Sequence, residues 1–326
     1  MENKKIELIR LLSQTESKPI SGEQIGRKLE ISRTMVWKYI QSLQSQGYSI
    51  ISSPGKGYLL NSVPDSLLPE LVQAGLETDI LGKDIRHFME LESTNDHAKT
   101  IARDANEGTV IIAEVQKKGR GRKGFDWVSP QGGIWMSIVL KPSIVPADAS
   151  RLTLLGGLAV VDSLKSIGLN PSLKWPNDVL VNSKKICGIL TEMEAEIDRV
   201  EYIVLGLGIN LNFDTDMLPE EIRDGSTTIS DELGNYVDRL EFVRSLLYNL
   251  EQYYIHFKTQ PFEELMERWI DSSDTIGRNV RIVTPSKMVD GRAIGIGLSG
   301  GLLLQKNDGS TEEIMSGRCI YICRGL

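Results

Sequence analysis

Residues 119–124 read Gly-Arg-Gly-Arg-Lys-Gly, three side-chain-free positions interleaved with three cations. As a pattern the run fits G-x-G-x-x-G, the dinucleotide fingerprint. That fingerprint works through a helix that opens directly after the glycines and turns its N-terminus toward a pyrophosphate. Here the chain continues through Phe125, Asp126, Trp127, Val128, Ser129, Pro130, Gln131, Gly132 and Gly133, which opens no helix. The positive charge therefore comes from Arg120, Arg122 and Lys123 themselves. They sit on a backbone loose enough to fold over an anionic ligand, with N–H groups and guanidinium forks supplying the contacts.

Four other segments of the same region carry groups suited to a small polar ligand. Ser93, Thr94 and Asn95 offer hydroxyls and an amide at a helix start, and Gln116 stands three residues before the glycine run. Lys174-Trp-Pro-Asn-Asp178 is followed by Lys185 and then Gly188. Gly206-Leu-Gly-Ile-Asn210 ends an apolar strand with two positions that let a ligand or a neighbouring chain come close. Each has a plainer reading: Ser93 as an N-cap, Trp175 as core, Gly206 and Gly208 as a tight sheet crossing. It is their order and spacing together with the Arg-Gly loop that packing alone does not require. Competing motifs fail on context. Gly297-Leu-Ser-Gly-Gly301 matches a nucleophile elbow, but it falls between two strands where an elbow needs strand, turn and helix. No P-loop and no kinase triplet occurs, and none of the three histidines stands at ligand spacing to a cysteine.

The elements that must hold these groups can be read from periodicity. Ile6 to Leu12 opens a first helix. Ser21-Gly-Glu-Gln24 is a capping box for a second, with Ile25 and Leu29 inward. A turn at Glu30–Ile31 leads to Ser32 as N-cap of a third, whose Val36, Ile40 and Leu43 form the buried stripe. Arg33, Thr34, Trp37 and Lys38 are left on its open face. Tyr48–Ile51 and Tyr58–Leu60 then flank Pro54-Gly-Lys-Gly57 as a hairpin with Lys56 at its tip. Helix, turn, helix and wing form a winged helix-turn-helix, which lays its last helix in a major groove. Asn61–Pro69 reads as a linker. Strands and helices then alternate: a helix over Ser93–Ala105, strands over Thr109–Val115 and Ile134–Leu140, and a helix over Asp148–Ile167. Strands follow over Ser172–Val181, Lys185–Glu194 and Tyr202–Leu211, and helices over 239–258 and 261–270. After Asp271 short strands with glycine turns take over, over Asn279–Val283, Arg292–Ile296, Leu302–Gln305, Glu312–Met315 and Cys319–Cys323. The expectation is an α+β multidomain protein. It has a winged helix-turn-helix over 1–63, a central mixed α/β core with a sheet flanked by helices over 64–271, and a small SH3-like β-barrel over 272–326.

Bulk properties narrow the classes. At 326 residues the chain calls for two or three domains. Its longest apolar stretches, near 154–161 and 202–211, are too short to span a bilayer, and no signal core follows Met1. Cys187, Cys319 and Cys323 make no even framework, which points to a reducing cytoplasm. Net charge is −7, yet residues 1–63 hold nine Lys/Arg against five Asp/Glu. A basic head on an acidic body suits nucleic-acid contact by the head alone.

The series S-T-N, Q-x-x-G-R-G-R, W, K-W-P-N-D, K-x-x-G-I-L and G-I-N resembles the biotin–protein ligases over nearly the whole chain. With a winged-helix head it resembles the bifunctional members, which also repress the biotin operon. The resemblance implies two steps: biotin and ATP give biotinyl-5′-AMP and pyrophosphate, and a lysine of a biotin carboxyl carrier domain then takes the biotinyl group. That carrier would belong to acetyl-CoA carboxylase, pyruvate carboxylase or both. By the same resemblance Ser93, Thr94, Asn95, Gln116, Gly119, Arg120 and Gly188 hold biotin, and Arg122 and Lys185 stand at the reacting centre. Lys123, Trp127, Asn177, Asp178 and Asn210 serve the nucleotide, with Trp127 stacked on adenine. Magnesium arrives with ATP, without assigned protein ligands. A homodimer formed by the adenylate-bound state, binding a two-half-site operator, completes the implied picture. The family commonly has an arginine two residues before the loop tryptophan. This chain has Phe125, which cannot contact phosphate, so either Lys123 takes that role or Phe125 folds over the ligand as an apolar lid. Two rivals stand beside this reading. One is a lipoate–protein ligase; the other is a ligand-sensing transcription factor on an inactive ligase fold, against which Arg122, Lys185 and Asn210 argue.

Overall fold

The computed structural model describes residues 2–15, 18–45, 47–53, 55–62 and 65–322, so Pro54 and Cys323 lie outside it. The chain divides into two units, Met1–Glu77 with Asp238–Arg244, and Thr78–Val237 with Ser245–Leu326.

In the first unit α1 (Glu2–Ser13), α2 (Gly22–Leu29) and α3 (Arg33–Ser45) precede a hairpin of β1 (Ser49–Ser53) and β2 (Gly57–Ser62). The capping box forms in both directions, Ser21 Oγ accepting from Gln24 N–H and Gln24 Oε1 accepting from Ser21 N–H. Glu30 ends α2 in the left-handed region at φ 54. The stripe Val36, Ile40 and Leu43 is fully buried, as are Leu8 and Ile9 of α1 and Ile25 of α2. Tyr58 and Ile20 exchange backbone hydrogen bonds of 2.9 Å, which fasten the wing to the segment before α2. A further helix, α4 (Pro69–Ala74), starts where the linker was expected to end. Pro69 suits its first turn, and Leu71 and Val72 are buried.

A seven-stranded sheet organises the second unit, in the order β3-β4-β5-β9-β8-β7-β6. The strands are β3 (Ile85–Leu91), β4 (Val110–Gln116), β5 (Ile134–Leu140), β6 (Pro171–Lys174), β7 (Asp178–Val181), β8 (Lys184–Ala195) and β9 (Val200–Ile209). Only the β3–β4 pair is parallel. The single strand expected over Ser172–Val181 is a hairpin of β6 and β7, closed by the Lys174–Asp178 pair around a turn that contains the cis Trp175–Pro176 bond. Helices α5 (Thr94–Ile101) and α6 (Ser150–Ser166) pack on the sheet, α5 against β4, β5 and β9 and α6 against β6 to β9. Short α7 (Glu220–Arg223) and α8 (Ile229–Leu233) precede α9 (Arg239–Thr259) and α10 (Glu263–Asp271). Buried Glu251 on α9 accepts the N–H groups of Asp79, Ile80 and Leu81 at 2.6, 2.7 and 2.7 Å. A carboxylate with three backbone donors is a well-satisfied buried charge.

The C-terminal module departs from expectation. Its strands are β10 (Asn279–Val283), β11 (Met288–Ile296), β12 (Leu302–Gln305), β13 (Thr311–Ile314) and β14 (Arg318–Tyr321). They form an open five-stranded antiparallel sheet, β13-β12-β11-β10-β14, and not the closed SH3-like barrel. Closure requires every strand to pair on both sides. Here β13 and β14, each of four residues, end on opposite edges and share no ladder. The Gly297–Gly301 segment is a tight turn between β11 and β12, with Gly297 N–H donating to Gly301 O at 2.8 Å, so no elbow exists there. Among the described residues no helix is long and apolar enough to cross a membrane.

Candidate functional site

The glycine loop does not open a helix. It folds back on itself as a narrow ladder: Gln116 N–H donates to Ser129 O, Trp127 N–H to Gly119 O and Gly121 N–H to Phe125 O, at 3.1, 2.8 and 2.7 Å. Its tip is one 3-10 turn, Arg122–Gly124, with Lys123 at φ 57 and Gly124 at φ 77. Below it runs the middle of the sheet, where β8 and β9 pair Gly188 with Gly208 and Leu190 with Gly206. A Cβ on Gly208 would lie 2.5 Å from Trp127 Nε1, and one on Gly188 2.9 Å from the same ring. A Cβ on Gly206 would collide with Asn95 Oδ1. The glycines thus form a floor on which the Trp127 indole and the Asn95 amide lie flat.

Loop and floor enclose a cavity of about 470 Å³. Lining it are Ser93, Thr94, Asn95, Gln116, Arg120, Arg122, Lys123, Trp127, Asn177, Asp178, Lys185 and Gly188, with Phe125 at 67% exposure. All but two of the expected small-ligand residues are brought together here. Gly119 lies behind the wall, close to Trp127 O and Ser129 Oγ. Asn210 is buried, and its amide donates to Thr227 O at 3.1 Å.

At one end a chain of hydrogen bonds fixes the polar groups. Thr94 donates to Gln116 Oε1 from its backbone N and its hydroxyl at 2.8 and 3.0 Å, and Gln116 Nε2 donates to Ser129 Oγ at 2.8 Å. The Ser137 hydroxyl lies 2.8 Å from Thr94 Oγ1 and 2.6 Å from Asn95 Oδ1. Gln116 therefore faces one way, and the Ser93–Asn95 turn is tied to two strands. At the other end Arg122 Nη1 donates to Asn177 Oδ1 at 3.2 Å, and Asn177 Nδ2 donates to Ile189 O at 2.9 Å. Burial holds the Arg122 guanidinium below its ordinary pKa, and the charge of Asp178 offsets part of this. Lys185 Nζ pairs with Asp178 Oδ1 at 2.6 Å and lies 5.0 Å over the Trp127 ring. The indole N–H is buried without a partner. A cavity with a desolvated cation on its wall suits an anion.

Several contributors carried no sequence signal strong enough to single them out. Ser137 is the one hydroxyl in the otherwise apolar, buried β5, and that mismatch was the available clue. Glu192 and Asp96, which bind Arg120, look like ordinary surface acids in sequence. Gly317, Arg318 and Cys319 bring the C-terminal sheet to the cavity wall. Burial pushes the Cys319 thiol up to about 12, so it stays protonated and unreactive. In the first unit Arg33, Thr34, Trp37 and Lys38 are all exposed on α3, and Lys56 stands exposed at the wing tip.

A helix-turn-helix reader joined to a mixed sheet with such a cavity defines a class: a DNA-binding module combined with a ligase of acyl-adenylate type. Three family models bear on it. Residues 88–210 match the biotin/lipoate A/B protein ligase family, 4–59 a helix-turn-helix domain and 275–321 the biotin protein ligase C-terminal domain. The bifunctional ligase/repressor BirA of Bacillus spizizenii is 39% identical over 306 residues, covering 93% of this chain and 94% of that protein. The BirA of Escherichia coli is 30% identical, covering 96% and 95%. Among solved structures, the biotin protein ligase of Aquifex aeolicus in complex with biotin and ATP superposes with a TM-score of 0.64 at 31% identity, covering 74% of this chain and 99% of that one. The chain belongs to the BirA-type family of bifunctional biotin–protein ligases and repressors.

Proposed function

We infer that this protein is an ATP-dependent biotin–protein ligase that also acts as a transcriptional repressor. The observation that carries the reading is the convergence of Ser93–Asn95, Gln116, the glycine loop, Asn177–Asp178 and Lys185 on one cavity of about 470 Å³. In this reading biotin and ATP share that cavity. A carboxylate oxygen of biotin attacks the α-phosphorus, pyrophosphate leaves, and biotinyl-5′-AMP is formed. A lysine amine of a biotin carboxyl carrier domain then attacks the acyl carbon and AMP leaves. No enzyme nucleophile takes part, so rate comes from alignment and from neutralising charge.

The residue roles follow from the chemistry of each position. Thr94, Asn95 and Gln116, locked by Ser129 and Ser137, suit the polar ring of biotin. Arg122, desolvated and bonded among the described residues through Asn177 alone, suits the carboxylate and α-phosphate. Lys185 approaches the same centre once the ligand competes with Asp178 for its amine. Trp127 offers an aromatic face to adenine. Magnesium enters with the triphosphate: Asp126 and Asp178 are the carboxylates on the cavity wall, and among the described residues no three His, Cys, Asp or Glu side chains gather as a metal site. In this scheme residues 1–63 read operator DNA and 64–271 carry the chemistry. Residues 272–326 complete the wall, and the adenylate-bound protein acts as a homodimer.

The deciding experiment incubates the full chain with biotin, MgATP and a biotin carboxyl carrier domain and weighs the carrier. A mass gain of one biotinyl group, unaffected by excess lipoate, is expected. No gain with biotin, or a lipoyl adduct instead, overturns the reading.

A further inference from the structure

Arg120 lines the cavity, yet its guanidinium already has partners. Nη2 lies 3.0 and 2.8 Å from the two oxygens of Glu192 and 2.6 Å from Asp96 Oδ1. Its Nε is buried and has no hydrogen-bond partner among the described residues. Glu192 stands on β8, four residues beyond Gly188 of the floor, and does more than bind Arg120. It also accepts from Asn95 Nδ2 at 2.9 Å and from Lys99 Nζ at 2.9 Å. One carboxylate thus joins the glycine loop, the start of α5 and the floor strand. Burial alone would push its carboxyl up. The bonds from Asn95 and Lys99 and the charge of Arg120 outweigh that and hold it below the usual glutamate value. Glu192 does not itself line the cavity; its charge is directed to the loop and to α5.

We propose that Glu192 is a positioning residue of the ligase site, holding the glycine loop onto the floor through Arg120 and leaving Arg120 Nε to donate to the bound ligand. This rests on the ligase reading above. The guanidinium then acts as a strut with one spare donor, not as a free cation that swings onto the biotin carboxylate. The ladder Gln116–Ser129 fixes the base of the loop, and Glu192 fixes its first arginine. Arg122, two residues on, inherits its place from both.

The test is a double-mutant cycle in the full-length protein with Glu192→Gln, Arg120→Ala and the pair, reading biotin affinity by calorimetry and kcat and KM for biotin transfer. Glu192→Gln should raise the biotin Kd and KM about tenfold, as expected for one lost charge-assisted bond at a partly exposed site, with a much smaller change in kcat. Glu192→Gln keeps an amide oxygen to accept from Asn95 Nδ2, so its effect passes chiefly through Arg120 and the double variant should bind no more weakly than Arg120→Ala alone. Glu192→Asp keeps the charge at shorter reach and should recover part of the affinity; it carries the same cycle if the glutamine variant does not fold. Losses that multiply in the double variant, or unchanged KM in Glu192→Gln, overturn the proposal. Wild-type protein that binds no biotin overturns the ligase reading instead.

Discussion

Replacing Arg122 by alanine separates binding from stability in a way few active-site changes can. In the structure this guanidinium donates to Asn177 Oδ1 at 3.2 Å, and burial depresses its pKa with only partial relief from Asp178. The cation is therefore held at a cost that Asp178 offsets only in part, with no carboxylate in direct ion-pair contact among the described residues. An arriving anion supplies what is missing. A hydrogen bond to a charged group contributes about 1.5–3 kcal/mol. At 1.4 kcal/mol per decade, Arg122→Ala should weaken retention of biotinyl-5′-AMP roughly ten- to hundredfold. The same change removes a desolvated charge from the apo protein, so its melting temperature should stay level or rise slightly. The assay is the dissociation rate of labelled adenylate from preloaded protein, with thermal unfolding of both variants without ligand. Wild-type retention in Arg122→Ala would refute the placement of Arg122 at the charged centre. A fall in apo stability as large as the loss of binding would show that the arginine holds the fold instead.

Three further outcomes follow from the same geometry. Lys185→Ala leaves Asp178 unpaired at the cavity and should slow single-turnover adenylate formation by about two orders of magnitude, the scale of one lost electrostatic contact; adding Asp178→Asn should restore part of the rate, and an unchanged rate in Lys185→Ala removes it from the reacting centre. Gly208→Ala puts a methyl 2.5 Å from the Trp127 ring and should cost about 1–3 kcal/mol in stability while weakening ligand binding. Gly156→Ala, whose nearest neighbours would be at 3.5 Å, is its control and should melt no lower than wild type; equal behaviour of the two variants speaks against a tight floor. Finally, biotin with MgATP should shift the protein from monomer to dimer in sedimentation, since a single winged helix grips an operator half-site weakly; an unchanged distribution refutes that coupling.

Local signals in the sequence survived where the physics was local. The capping box at Ser21 and Gln24 and the stripe Val36, Ile40 and Leu43 depend on neighbours three or four residues away, and both form as read. The glycine run was legible for the same reason, since nothing after Phe125 can open a helix. Non-local pairing was harder. Strand β3 alternates no clean apolar face, with Arg86, His87 and Glu90 among its seven residues and Met89 at 66% exposure, because it is the sheet edge. Asn210, expected at the nucleotide, spends its amide on Thr227 O, a partner set by how 225–228 folds back. Glu192 could not be found at all. It is one acid of a Thr-Glu-Met-Glu run on a strand, and its three donor residues Arg120, Lys99 and Asn95 stand 72, 93 and 97 positions away in the chain.

The openness of the C-terminal sheet bears on the site itself. Gly317 stands at the entry to β14 with no room for a Cβ beside Ile282, so the chain passes closely under β10 and emerges on the edge opposite β13. There Tyr321 is held between Lys174 and Arg278, each 4.8 Å from its ring centroid, and its hydroxyl meets Thr275 Oγ1 at 3.1 Å. Thr275 Oγ1 in turn accepts from Trp175 N–H at 3.0 Å, next to Pro176 and Asn177 on the cavity wall. A run of contacts thus leads from β14 to the residue that holds Arg122. As an edge strand β14 is free to pack Gly317–Cys319 against the ligase core, which makes the module a structural part of the cavity rather than an appendage.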